Sequence, residues 1–255
     1  MCGGREDYDH GVPCRNCGSK RYRRVEVDLG DQPLANDLAE SAAESVGAPR
    51  YPLATGACPD CGLVQLYRRP PVDLFGPAYP FRQGTSETWV RHLWDFAADL
   101  TNDLHHRRAL DVGANDGTLV GILHDVGFDS WGVDPAPSGP FPVMQGHMGI
   151  EWAQTYKANG GGRFDLITAF NVLAHVSDLD DFLGGIMWLL QPKGRLVVEV
   201  PDWSRSSWMS VYHEHQCYFT KETLTDCLQR RGFLVVAMES QPTHEGSWRA
   251  TCTIA

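Results

Sequence analysis

The chain has 255 residues, enough for one full-sized domain plus a small one. Hydrophobic residues make up 42% and charged residues 21%, and 32 acidic against 22 basic side chains give a net charge of −10, which disfavours nucleic acid or an anionic membrane as the main partner. Residues 1–10 lack a basic segment followed by an apolar run, and no apolar stretch approaches the ~18 residues of a membrane span, so a cytoplasmic chain is expected.

Eight cysteines in a reducing compartment point to metal or free thiols more than to disulfides. Cys14-Arg-Asn-Cys17-Gly18 and Cys58-Pro-Asp-Cys61-Gly62 are two copies of CxxCG. Each turn aims two thiolates at one point, and the glycine eases the tight backbone around the sulfurs. Two such knuckles predict a tetrahedral zinc site with ligands Cys14, Cys17, Cys58 and Cys61. Four thiolates leave no open position, so the metal is expected to be structural. A redox CxxC or a pair of ordinary turns are the competing readings, and the duplication with glycine at the same place argues against both. Between the knuckles VEVDLG (25–30) predicts a strand, and residues 37–49 a mobile, polar loop. RRPPVD then breaks regular structure, placing a zinc-binding domain in residues 1–75 and a second domain in 76–255.

From Ser86 the pattern changes. SETWVRHLWDFAADLTNDL spaces Trp89, Leu93, Phe96, Ala97 and Leu100 at helical intervals. Strands and helices then alternate: RALDVG, a helix from Gly117 to His124, DSWGVD, a short FPVM, RFDLITAF, a helix through DDFLGGIMWLL, RLVVEV, a helix from Lys221 to Arg231, FLVVAMES and WRATCTI. Strands linked by crossover helices predict an α/β fold with an open, mostly parallel, Rossmann-like sheet of seven strands, the last two joined without a helix.

The first of these strands ends in Asp111-Val-Gly-Ala-Asn-Asp-Gly117. Gly113 lets a ligand approach the backbone, and the turn feeds a helix N-terminus that favours a carboxylate or phosphate. Asp134 ends the second strand, placed to accept from ribose hydroxyls. An NAD site shares both features, but GxGxxG is absent, and Asn115, Asp116 and the preceding Asp111 suit S-adenosylmethionine (SAM), which offers an amino acid end instead of a pyrophosphate. A glycine-rich turn without a ligand is the bland alternative. The candidate cofactor residues are Asp111, Gly113, Asn115, Asp116, Gly117, Asp134, Pro135, Met148, Asn171 and Leu173. His175 is either a ligand contact or a helix-entry residue.

VYHEHQCYFT (211–220) carries the remaining chemistry. On an extended segment His213 and His215 share a face and Glu214 points the other way. The cluster could bind a second metal, be structural, or move protons. Proton transfer fits best, because a methyl group on a sulfonium is already activated and the protein must chiefly make a nucleophile. A carbon beside a carbonyl becomes one by losing a proton, and a histidine with a pKa near 6.5 can take it. His213, Tyr212 or Tyr79 could then donate to the enolate oxygen, and Glu214 could orient a histidine or hold substrate hydroxyls.

VDLGDQPLAN, CPDCGLVQL, GANDG, NVLAHVSDLDDF, YHEHQCYF and PTHEGSWR, in that order, resemble the zinc-containing, SAM-dependent sugar C-methyltransferases, which methylate C3 of nucleotide-linked 4-keto deoxysugars. The resemblance implies a class I methyltransferase domain, a structural zinc on the four cysteines, and the second histidine of YHEH, His215, as catalytic base beside Glu214 and Tyr212. It further implies a role in antibiotic or deoxysugar-type biosynthesis on a small-molecule ketone. The expected mechanism is enolate formation by His215 and in-line attack on the SAM methyl. Methylation of an oxygen or nitrogen, ring closure of a SAM-derived adduct, and a non-enzymatic SAM-binding protein are the alternatives. Phe81 stands where the family shows a second tyrosine, and His244-Glu-Gly-Ser247 where it shows HGGS. A member without the family's usual C-terminal domain is expected.

Overall fold

The computed structural model describes residues 12–21, 24–76, 79–100, 107–206 and 210–255. Two sheets organise them. The smaller consists of β1 (Arg24–Gln32), β2 (Tyr51–Ala57), β3 (Val64–Leu66) and, from far along the chain, β9 (Cys217–Tyr218), paired antiparallel in that order. β1 contains the expected strand, whereas β2 and β3 go beyond the sequence reading. The stretch read as a loop contains α1 (Ala42–Gly47), a single surface helix capped by Ser41, whose side chain accepts from the Glu44 N–H. It buries no residue, so no apolar stripe announces it.

The larger sheet has seven strands: β4 (Arg108–Val112), β5 (Asp129–Asp134), β6 (Val143–Gln145), β7 (Phe164–Phe170), β8 (Leu190–Pro201), β10 (Phe233–Gln241) and β11 (Ser247–Ile254). Their order is β10-β11-β8-β7-β4-β5-β6. The five from β8 to β6 run parallel, and β11 lies antiparallel between β8 and β10, to which it is joined without a helix. Parallel strands need crossovers. α3 (Thr118–Asp125), α4 (Ile150–Ala158) and α5 (Leu179–Leu189) supply them, while α2 (Glu87–Asp99) precedes β4 and α6 (Lys221–Arg230) precedes β10. α2 buries Trp89, Leu93, Phe96 and Ala97 as its spacing predicts, with Leu100 as its C-cap; residues 101–104 of the run lie outside the described residues. α4 escaped the sequence reading because it buries only Ala153.

Helices cover both faces of the sheet. On one, Leu93 and Phe96 of α2 and Leu119 and Leu123 of α3 pack against Ala109, Phe170 and Val197. On the other, Phe182, Leu183 and Ile186 of α5 and Leu224 and Leu228 of α6 pack against Ile167 and Val198, and this core runs on without a break into Cys14, Cys58, Leu63 and Cys217. Each fully buried Leu or Phe contributes roughly 1.5–3 kcal/mol. The zinc-knuckle cysteines are thus part of the main core. Strand order reverses between β4 and β7, and a crevice opens beyond the carboxyl ends of strands at such a switch point.

Candidate active site and zinc site

A cavity of about 1100 Å3 fills that crevice. Six of the ten predicted cofactor residues line it: Gly113, Asn115, Asp134, Pro135, Met148 and Asn171. Gly113 leaves β4 at φ +72, donates to the Val133 carbonyl (2.8 Å), and has the Val172 side chain where a Cβ would stand. Asn115, left-handed at φ +54, is held on all sides: its N–H donates to Asp134 Oδ2 (2.9 Å), its Oδ1 accepts from the Gln83 N–H (3.1 Å), and its Nδ2 donates to the Phe81 carbonyl (3.0 Å). Asp134 also accepts from the Ala136 N–H (2.7 Å), so its carboxylate is fixed at the cavity rim. Asn171, left-handed at φ +56, keeps a buried Oδ1 without a partner.

The other four lie off the wall. Asp111 is buried, accepts from Thr168 Oγ1 (2.7 Å), and is pushed up to about 7 by burial. Asp116 accepts from the Thr118 N–H (3.1 Å) and hydroxyl (2.6 Å) at the start of α3 and from the Gly84 N–H (2.8 Å). Gly117, at φ +78, caps α3 beside Phe141, and Leu173 is fully buried in the turn after β7.

Tyr79, His175, Tyr212 and His215 line the same cavity. The extended reading of 211–220 does not hold: the His215 N–H closes a turn onto the Tyr212 carbonyl (3.1 Å), and only Cys217–Tyr218 beyond it is strand. His213 and His215 therefore diverge. His213 is fully buried and donates through Nε2 to the Tyr51 carbonyl (3.1 Å), off the cavity wall. Glu214, also off the wall and 1% exposed, accepts through Oε1 from the Asn36 N–H (3.2 Å) and Nδ2 (2.9 Å), while its buried Oε2 has no partner.

His215 Nε2 lies 2.8 Å from the Tyr212 hydroxyl, and the ring also hydrogen-bonds the Ser210 backbone. With the other ring nitrogen given to that backbone, Nε2 carries the lone pair and Tyr212 donates to it. Burial, aided by the neighbouring His175 and His244, holds His215 well below the usual histidine range, so the ring is neutral at pH 7. His175 donates through Nδ1 to the Glu214 carbonyl (2.9 Å), and its ring lies 4.8 Å from that of His215, making it a cavity-wall residue. Burial, then the charges of Glu214 and Asp134, push Tyr79 up to about 12, keeping its hydroxyl protonated.

One constellation behind the wall carries no sequence motif. Glu199, fully buried in β8, takes His92 Nε2 of α2 at 2.8 and 3.0 Å, Arg249 Nε of β11 at 2.8 Å and the Thr243 hydroxyl at 3.0 Å. Its carbonyl accepts from the Asn171 N–H (2.8 Å), and Thr243 precedes His244, a cavity residue held left-handed at φ +53. A glutamate in an apolar strand, VVEVP, is the signal that could have exposed it. Arg69 is the one Lys or Arg on the cavity wall among the described residues, against Asp73, Asp134, Asp178, Asp181 and Glu245.

The two knuckles fold identically. In each, the first cysteine N–H bonds the carbonyl five residues on (2.8 Å to Ser19, 2.9 Å to Leu63), and the glycine N–H returns to that cysteine's carbonyl (2.8 and 2.9 Å), with Gly18 and Gly62 at φ +71 and +77. The four Sγ atoms lie within 4.8 Å of one another, with Cys14–Cys61 at 3.5 Å and Cys17–Cys58 at 3.7 Å. A tetrahedral Zn–S bond of about 2.3 Å sets sulfurs about 3.8 Å apart, so the donor set fits zinc.

Residues 14–75 match the family model described as "Putative zinc binding domain", and residues 85–238 match that described as "Methyltransferase domain". Along 92% of its length the chain is 25% identical to the C-methyltransferase NovU of Streptomyces niveus, of which it covers 59%. Over 47% of its length it is 34% identical to a ubiquinone biosynthesis O-methyltransferase of Azorhizobium caulinodans, of which it covers 50%. The chain thus spans between half and three-fifths of these relatives. A SAM-dependent methyltransferase from Archaeoglobus fulgidus shares the fold at TM-score 0.53 and 17% identity, over 65% of this chain and 93% of that one. With the strand order above and a model matching more than half its length, the chain belongs to the methyltransferase-domain family, on the class I fold of SAM-dependent methyltransferases, with the four-cysteine zinc-binding module ahead of it.

Proposed function

We propose that the chain is a cytoplasmic C-methyltransferase of specialised biosynthesis that deprotonates a carbon beside a carbonyl, with His215 as base. The observation that carries this is the neutral His215 ring on the cavity wall, its Nε2 lone pair 2.8 Å from the Tyr212 hydroxyl. Asp134 would accept from the ribose hydroxyls of SAM, and the unpartnered Asn171 Oδ1 offers an acceptor for its ammonium. When bound, SAM supplies a methyl group activated on a sulfonium. His215 Nε2 takes the proton from the acceptor carbon, and the Tyr212 hydroxyl, a donor to that nitrogen at rest, turns and accepts from it. Tyr79, kept protonated, donates to the enolate oxygen. Among the described residues a single guanidinium beside five carboxylates offers a diphosphate little counter-charge, which favours an acceptor without one.

His215→Gln should bind SAM normally by calorimetry and lose transfer by about 10²–10⁴-fold, read by mass on a panel of ketones with and without a nucleotide. Unchanged turnover would sink the assignment. Oxygen methylation is the second reading, favoured by the 34% identity to the O-methyltransferase. Under it His215 deprotonates a hydroxyl, and the α-carbon of a candidate ketone shows no solvent deuterium exchange.

A further inference from the structure

Gln216 follows the base, is 1% exposed, and uses all four of its polar groups. Its N–H donates to the Ala174 carbonyl (2.7 Å) after β7, and its carbonyl accepts from the Leu66 N–H (3.0 Å) in β3. Its Nε2 donates to the His213 carbonyl inside the turn (2.7 Å). Its Oε1 accepts from Arg15 Nη2 (3.3 Å). Arg15 sits between two zinc ligands, Cys14 and Cys17. Its N–H donates to the Oε1 of buried Gln65 (2.8 Å), whose Nε2 returns to the Pro13 carbonyl (3.3 Å), and its Nη1 donates to the Leu66 carbonyl (2.9 Å).

An unbroken run of hydrogen bonds therefore leads from the first knuckle through the guanidinium fork to the backbone of the turn that carries His215. We propose that Arg15 and Gln216 are positioning residues for His215, and that the metal-loaded knuckle sets the orientation of the base. This rests on the reading of His215 as base. The planar fork sends Nη1 to Leu66 and Nη2 to Gln216, a fixed geometry that a lysine's compact ammonium does not reproduce. A turn with few local alternatives is stiff only while its outer bonds hold. A displacement of about 1 Å at a catalytic group can cost on the order of a hundredfold in rate.

The test uses protein labelled with 15N in histidine, the His215 ring signals being those that vanish in His215→Gln. In Arg15→Lys and Gln216→Leu these signals should shift or broaden, while SAM affinity by calorimetry stays within about twofold, since neither residue borders the cofactor wall. Stripping zinc from the unaltered chain with a chelator should disturb the same signals. If they stay unchanged in folded Arg15→Lys and in the stripped protein, the proposal is overturned, whether or not Gln216→Leu folds. If they move while His215→Gln still transfers methyl at full rate, the base assignment fails and the positioning stands.

Discussion

Replacing Glu199 by glutamine tests how the floor behind the cavity is held. Burial alone would raise the Glu199 carboxyl, but the His92 bonds and the Arg249 charge more than reverse this and leave it below the usual carboxylate range. The amide offers one acceptor oxygen where His92, Arg249 and Thr243 all present donors, and it leaves the Arg249 guanidinium buried without its counter-charge. Breaking a buried pair from one side costs about 3–5 kcal/mol, a large share of the 5–15 kcal/mol that holds a typical domain. Urea denaturation should show that loss as a lower midpoint at unchanged slope. The double variant Glu199→Gln with Arg249→Met should recover part of it, because an apolar replacement removes the stranded charge. Because the folded pKa is depressed, the stabilisation is fully present above the unfolded value of about 4.3 and is lost as pH falls through the folded one. The difference between wild type and variant should therefore shrink below about pH 4. A loss under about 1 kcal/mol at pH 7 would refute the network as a stabilising element.

Gly113→Ala imposes a left-handed residue at roughly 1–2 kcal/mol and drives its methyl into Val172 at the cofactor wall, so SAM affinity should fall at least about tenfold by calorimetry. Gly160→Ala, at φ +86 with open space around it, carries only the conformational cost and should leave that affinity unchanged; equal effects would refute the wall position of Gly113. For Asp111→Asn the sign is opposite to Glu199, because burial raises its folded pKa to about 7 and penalises the ionised form. Thermal melts should show the variant gaining stability over wild type at pH 8 and little at about pH 3, below the unfolded pKa of about 3.9.

The seven-stranded sheet was legible because its strands are apolar runs between turn residues and most of its helices carry a helical period, as α2 does in Trp89, Leu93 and Phe96. The two CxxCG turns were legible because local geometry alone aims their sulfurs. The HEH segment was not. A period of two is a property of free extended chain, and here bonds from Tyr51 and Asn36, some 160–180 residues upstream, pull His213 and Glu214 to other sides. Asp111 and Asp116 looked like ligand contacts because motif position says which end of a strand a residue occupies, not which way its side chain turns. The Glu199 network joins residues 92, 199, 243 and 249 through three elements, and no spacing along the chain encodes it.

The pairing of β9 with β3 has a consequence for synthesis on the ribosome. Leu66 and Cys217 are about 150 residues apart, so at roughly 5–20 residues per second the front sheet waits some 8 to 30 s, open at β3, for its last strand. An unpaired edge is a template for wrong partners, and β3, with apolar Val64 and Leu66 flanking Gln65, is fully buried once covered. The strand that closes that edge begins two residues after His215. Completion of the front sheet and placement of the His215 turn are therefore one late event in the life of the nascent chain, and a polypeptide released before residue 217 has neither.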